Sequence, residues 1–312
     1  MMDLKLKKNK FLIDVLWNYG SLIFLGISGI TLNTIISIFY DPAVLGSFNQ
    51  VLATYIIFSA LGNCGINYSV LQVLPTKKNN IEEFYSIISG AIFATIFTSL
   101  IFTFIYYNSS QSISYFLKSK SVFSGMRVIS IGLFFFCINK TLFGIINGFA
   151  RMKEFAIYQA LRYILILLGL YISILYSIKG KYLPFIFSFS EIILFITLNI
   201  SLSKYLKWWK AKDIIYWMKR HLSFGIRSFS SSVLYEINAR IDILIIGLFL
   251  SDNFVGVYSF ASLMSEGLLQ FLVVLQNNFN PIIAEFISNK KKLELIKLIK
   301  NNSKWIYSFT IF

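Results

Sequence analysis

Charge, cysteine, proline and histidine are all scarce in this sequence. Only 14% of its 312 residues are Asp, Glu, Lys or Arg, against about 25% in soluble domains. At 56% hydrophobic residues, such a chain would aggregate in water unless lipid covered it. Acidic residues are the scarcer sign, 14 against 29 basic ones. The basic surplus sits in short clusters beside apolar runs. That pattern excludes nucleic-acid binding and fits loops that set membrane orientation and meet anionic headgroups. The two cysteines, Cys64 and Cys137, lie inside apolar runs, with no zinc-like or disulfide-like spacing, and read as packing residues. No small-residue cleavage site follows the first apolar run, so no cleavable signal peptide is expected. There is no phosphate-cradling Gly-rich loop with Lys, no HExxH and no GxSxG. No nucleotide site, metal or cofactor is therefore expected. The lone histidine, His221, sits in a basic stretch and receives no role.

Long apolar runs dominate what remains, rich in Phe (32 residues). A spanning helix needs about 20 apolar residues. The spans run approximately 14–39, 44–74, 84–107, 122–148, 155–177, 182–203, 223–250 and 254–280, and a ninth begins at Trp305. Barrel strands would alternate polar and apolar residues, and these runs do not. The expected fold is therefore all-α: a polytopic transmembrane bundle of eight full spans and a partial ninth. The second span is too long for one crossing, so it is expected to tilt or extend into the interface.

Lys and Arg set the orientation. The N-terminus and every second loop thereafter hold 20 of them, and the opposite loops hold only Lys118, Lys120, Lys179 and Lys181. This asymmetry puts the N-terminus in the cytoplasm. The longest loop, Lys204 to Leu222, mixes Trp208, Trp209 and Trp217 with lysines and reads as an amphipathic helix on the inner leaflet.

Two hairpin turns repeat at an offset of 210: Tyr40-Asp41-Pro42-Ala43-Val44-Leu45-Gly46-Ser47-Phe48 and Leu250-Ser251-Asp252-Asn253-Phe254-Val255-Gly256-Val257-Tyr258. Gly46 and Gly256 would let the next helix pack closely on the previous one. Six spans separate the copies, so both point the same way, as in a parallel transporter repeat. The expected organisation is a six-helix lobe over 1–206, an amphipathic linker over 207–222, and the start of a second lobe over 223–312. By the same logic the chain is expected to be C-terminally incomplete.

These features resemble the Wzx-type polysaccharide flippases of the multidrug/oligosaccharidyl-lipid/polysaccharide exporter superfamily. The resemblance rests on the six-span lobe, the basic N-terminus and the Asp41–Phe48 turn. It rests also on Tyr235-Glu236-Ile237-Asn238-Ala239-Arg240-Ile241-Asp242 and on the Val255–Ala261 continuation. It implies a non-enzymatic transporter of the bacterial inner membrane. Such a transporter flips a polyprenyl-pyrophosphate-linked oligosaccharide by alternating access, beside a polysaccharide polymerase and a chain-length regulator. A multidrug or cation antiporter of the same superfamily is the second reading. A membrane polysaccharide polymerase is a third, disfavoured by the short loops.

Ionisable groups at bilayer depth are costly and usually functional. Lys140, Gly144, Asn147 and Arg151 share one face of the fourth span, and Ser232, Glu236 and Arg240 share one face of the seventh. On the flippase reading, Lys140 and Arg240 bind pyrophosphate, while Asn18, Asn33 and Asn147 hold sugar. Glu191, Glu236, Asp242 and Glu266 are the candidates for proton or sodium coupling. Glu236 and Arg240, four apart, equally suit a structural pair. Lys140 has no partner in its own span. Arg127, Arg162 and Arg227 lie nearer span ends and are expected to snorkel to the interface. Gly144 and Gly148 read as a helix contact, and Asn63 and Asn67 as interhelical hydrogen bonds.

Overall fold

A computed structural model describes residues 2–77, 81–149, 151–265, 292, 293 and 296. Every regular element among them is helical. The main helices are α1 (Met2–Phe39), α2 (Pro42–Asn63), α3 (Ile66–Val73), α4 (Ile81–Phe116), α5 (Lys120–Gly148), α6 (Met152–Leu175), α7 (Phe185–Leu202) and α8 (Ile214–Phe249). A further helix, α9, begins at Asp252, and its residues 252–260 close the first of two compact units, Met1–Phe260 and Ala261–Phe312. The few described residues of the second unit, 261–265, 292, 293 and 296, are helical.

Six segments among the described residues are long and apolar enough to cross a bilayer, from Gly20–Phe39 to Gly180–Leu202. They correspond to the first six expected spans. The seventh lies within α8, which carries Arg227, Glu236, Arg240 and Asp242 along its length. The eighth begins in α9, and most of it lies outside the described residues, as does the ninth.

Helix ends follow local chemistry. Asp41 caps α2 by accepting from the Val44 amide at 2.7 Å, with Pro42 at the first helical position, where a missing N–H costs nothing. Ser119 caps α5 through the Val122 amide.

The long second span is not a single tilted helix. It breaks at Cys64 and Gly65, which both take left-handed conformations (φ 50° and 67°). Asn63 spans the break. Its side chain donates to the Cys137 carbonyl at 3.1 Å and the Thr141 hydroxyl at 3.0 Å, and it accepts from the Asn67 amide at 3.3 Å. In lipid a broken helix survives only where protein satisfies the freed backbone; here the Asn63 side chain accepts from the Asn67 amide and the Thr98 hydroxyl of α4 donates to the Gly62 carbonyl.

The Lys204–Leu222 stretch, expected to form an amphipathic helix, is instead divided, with Ile214–Leu222 forming the first part of α8. Trp208–Lys210 makes one 3-10 turn with both tryptophans exposed, and α8 begins directly at Ile214. Trp217 is buried against α4, where Gly90 leaves room for it. His221 is fully buried beside it, its Nδ1 2.8 Å from the Ser69 hydroxyl and its Nε2 3.1 Å from the Ile87 carbonyl. A carbonyl can only accept, so Nε2 carries the proton and Ser69 donates to Nδ1.

The two repeated turns pack on each other reciprocally. A Cβ on Gly46 would overlap the Asp252 carbonyl, and a Cβ on Gly256 would overlap the Pro42 carbonyl. Under the offset of 210, these two contacts are the same contact. Asn49 and Ser259, also equivalent, bond directly at 2.8 Å. Such self-complementarity is what a local twofold demands.

Two predictions follow from this packing. Gly46→Ala or Gly256→Ala should cost about 1–3 kcal/mol by overpacking. Gly26→Ala, with nothing within 4 Å of its Cβ, should leave thermal stability in detergent unchanged or raised. The second concerns His221, which precedes the apolar stretch of α8. Burial pulls its pKa from 6.5 down to about 4. Between those values the unfolded chain binds a proton that the folded chain excludes, so stability falls as pH falls. The melting temperature should drop from pH 6.5 toward pH 4, and His221→Gln should flatten that slope.

Candidate functional site

The two polar stripes expected on the fourth and seventh spans meet at a cavity of about 330 Å³. Its walls come from α2 and α3 around the break (Ala60, Asn63, Gly65, Asn67, Tyr68, Leu71) and from α5 (Phe136, Lys140, Phe143, Gly144, Asn147). Residues of α6 (Phe155, Gln159, Arg162) and α8 (Ser232, Glu236) complete it. Gly144 lets the Asn67 backbone approach α5 closely, so its helix-contact role stands.

Lys140 has partners after all, supplied by other helices. Its ammonium donates to the Ser59 hydroxyl at 2.8 Å and lies 3.9 Å from the Glu236 carboxylate on α8. It also sits 4.8 Å from the Phe136 ring centroid, within cation–π range. Both charged side chains keep partial access, 23% for Lys140 and 27% for Glu236.

Arg162 differs from the expectation more sharply. It does not snorkel to the interface. Its Nε lies 2.8 Å from Glu191 Oε1, and a terminal nitrogen donates to Oε2 at 3.3 Å. Asn139 donates to the same carboxylate at 2.8 Å, and Glu191 is 1% exposed. The guanidinium also lies 4.9 Å and 5.1 Å from the Phe136 and Phe143 centroids. Arg162 stands ten residues into α6, about 15 Å from its start. Counting that depth, or noting that Phe155, Gln159 and Arg162 share a face, would have pointed inward. Arg127, by contrast, stacks on Tyr107 and Phe123, and Arg227 bonds back to Ser223 on an exposed face.

The remaining sequence candidates scatter. Asn147 lines the cavity beside Lys140. Asn33 is buried elsewhere, accepting from Asn49 at 3.0 Å and donating to the Gly29 carbonyl. Glu191 lies behind the wall, held by Arg162. Asp242 accepts from the Tyr258 hydroxyl at 2.7 Å, beyond the lining of the cavity. Arg240 is one turn past Glu236 on α8. Glu266 and the side chain of Asn18 lie outside the described residues. Ser59, Asn63, Asn67, Tyr68 and Gln159 join the site without having been singled out for it. Among the described residues, no cluster of three His, Cys, Asp or Glu side chains could hold a metal.

A broken helix beside ion-paired residues, inside a bundle of apolar helices, defines a multi-pass membrane protein with a transporter-type fold. The fold is similar to that of a eukaryotic MATE transporter, AtDTX14, known from its crystal structure. The two superpose with a TM-score of 0.57 at 11% identity, over 82% of this chain and 62% of that one. The chain thus spans about three-fifths of that transporter's length. None of the curated proteins matches it in sequence. The family model described as polysaccharide biosynthesis protein matches residues 13–287, and the chain belongs to that family.

The Arg162–Glu191 pair makes a stability prediction. Arg162→Leu strands a buried carboxylate and should cost about 3–5 kcal/mol. Adding Glu191→Leu should recover most of that loss, measured as a double-mutant cycle on thermal melting in detergent.

Proposed function

We propose that this protein is a transporter that flips a polyprenyl-pyrophosphate-linked oligosaccharide from the inner to the outer leaflet of the bacterial cytoplasmic membrane. It is not an enzyme, and its N-terminus is cytoplasmic. The observation that carries this reading is the cavity chemistry, taken with the family match. Two cations, Lys140 and Arg162, flank one aromatic ring, Phe136. Around them lie the amides of Asn63, Asn67, Asn147 and Gln159 and the ring of Tyr68. Cations suit a diphosphate, and neutral amides suit sugar hydroxyls. Movement would follow alternating access, with the repeat-related elements rocking about the local twofold at Gly46 and Gly256. Energy would come from an ion gradient, with Glu236 and Asp242 as coupling groups, or from consumption of the product on the far side. A polymerase and a chain-length regulator of the same assembly line are the protein partners this reading names.

A second reading, a multidrug or cation antiporter, is favoured by one observation: the partly accessible Glu236 carboxylate in the cavity. Cationic-dye efflux distinguishes the two.

The test uses the full-length protein in cells. Lys140→Ala should reduce flipping of the lipid-linked repeat unit about tenfold or more, with normal amounts of protein in the membrane. Undiminished flipping by Lys140→Ala would remove the cationic site.

A further inference from the structure

Two cavity-lining cations, Arg162 and Lys140, sit in ion pairs of opposite character. Arg162–Glu191 is tight, an ion-pair contact at 2.8 Å with one hydrogen bond at 3.3 Å, and its carboxylate is held by Asn139 and shut away from solvent. Lys140–Glu236 is loose at 3.9 Å, with both partners partly accessible. Glu236 does not enter hydrogen-bond range of the ammonium, whereas the Ser59 hydroxyl does, at 2.8 Å. The tight pair joins neighbours α6 and α7. The loose pair joins α5 and α8, on different sides of the cavity.

We infer that Glu236 is a placeholder anion, occupying the site at Lys140 that a phosphate or diphosphate group of the substrate takes over. The inference rests on the flippase reading above and adds a competitor to its binding site. The physical reason is general. A cation in an apolar wall is costly without a counter-ion, so the empty site needs an internal one. That counter-ion must also be dismissible, and a pair that is long, partly hydrated and without a direct hydrogen bond is held weakly. A phosphate oxygen brings more negative charge and more acceptor atoms to Lys140 than the carboxylate does. The other charged groups around the pair do not substitute for it. Arg162 is engaged by Glu191, and Arg240 stands one turn along α8 from Glu236. Displacing Glu236 removes an attraction between α5 and α8, so arrival of the anion is coupled to loosening of α8 from the cavity wall. Glu236 thus lowers affinity for the substrate while gating the response to it.

The test measures binding by the purified full chain in nanodiscs of phosphatidylcholine, with inorganic pyrophosphate in one arm and polyprenyl pyrophosphate in the other. Glu236→Gln is nearly isosteric and should bind tighter by roughly three- to tenfold, the effect of removing a weak competing pair. Glu236→Asp should stay near wild type, and Lys140→Gln should lose binding. A gain of affinity cannot arise from misfolding, so the variant is informative even if less stable. A gain in both arms assigns the site to the diphosphate itself. A gain with polyprenyl pyrophosphate alone assigns it to a lipid-linked head. If the wild type binds but Glu236→Gln binds equally or more weakly, the competition is overturned and the anion site stands. If the wild type binds neither probe, the anion site falls and the competition with it.

Discussion

In a bilayer, a polar group without a partner has no water to fall back on, and most of this structure follows from that constraint. The break at Cys64 and Gly65 frees backbone groups on either side of it; the Asn63 side chain takes the Asn67 amide, and Thr98 takes the Gly62 carbonyl. Asn63 is itself held by α5, through the Cys137 carbonyl and the Thr141 hydroxyl. The guanidinium of Arg162 lies deep in α6, and Glu191, itself held by Asn139, is there to receive it. Lys140 draws on Ser59 from α2 and Glu236 from α8. Each polar feature recruits a second helix. The elements that contribute such features are therefore the ones that converge on the cavity. The site is where the bundle concentrates its unmet hydrogen-bonding capacity.

The repeat adds a geometric constraint of a different kind. Gly46 and Gly256 admit the carbonyls of Asp252 and Pro42, so backbone meets backbone where any side chain would intervene. Small residues at a helix crossing allow this approach in membranes, where packing replaces the hydrophobic drive. The pairing of Asn49 with Ser259 lies one turn further along both helices and ties the same two elements with a hydrogen bond. Two short segments 210 residues apart thus specify one another. The match in sequence and the contact in space have one cause, a local twofold.

Much of this was legible in the residues. Span positions follow from apolar run length, which is a nearly one-dimensional property. The stripes Lys140–Gly144–Asn147–Arg151 and Ser232–Glu236–Arg240 follow from helical periodicity; all but their last members line the cavity, Arg151 pairing instead with Glu154 and Arg240 standing outside the lining. Partners across helices were not legible. Nothing local in α5 says that Glu236 will lie beside Lys140, or that Arg162 will find Glu191 rather than the interface. Asn33 has the same residue type as Asn147 but is consumed by Asn49 and Gly29. Residue type gives the capacity to bond, and only the tertiary arrangement says whether that capacity is already spent. The Lys204–Leu222 stretch misled for a related reason. Its lysines and Trp208 and Trp209 suggested a surface helix, while Gly90 on α4 provides the slot that buries Trp217.

The position of α8 shows how these features combine. Near its start, Trp217 fills the space beside Gly90, His221 bridges Ser69 and Ile87, and Gly225 meets the Cys64 carbonyl at the helix break. Just past its end, Asp252 accepts from Ser119 at 2.6 Å and from Gln50 at 3.2 Å. Between these two attachments, Ser232 and Glu236 face the cavity. The two attachments differ in kind. Near its start, α8 is held by a packed apolar contact that encloses a buried imidazole. Near its end, Ile243 packs with Ala53 and Val255, Leu244 joins the cluster around Val51 and Tyr55, and the part-exposed Asp252 adds its hydrogen bonds. Apolar packing thus fixes α8 at both ends, and the ion-paired Glu236 stands between them.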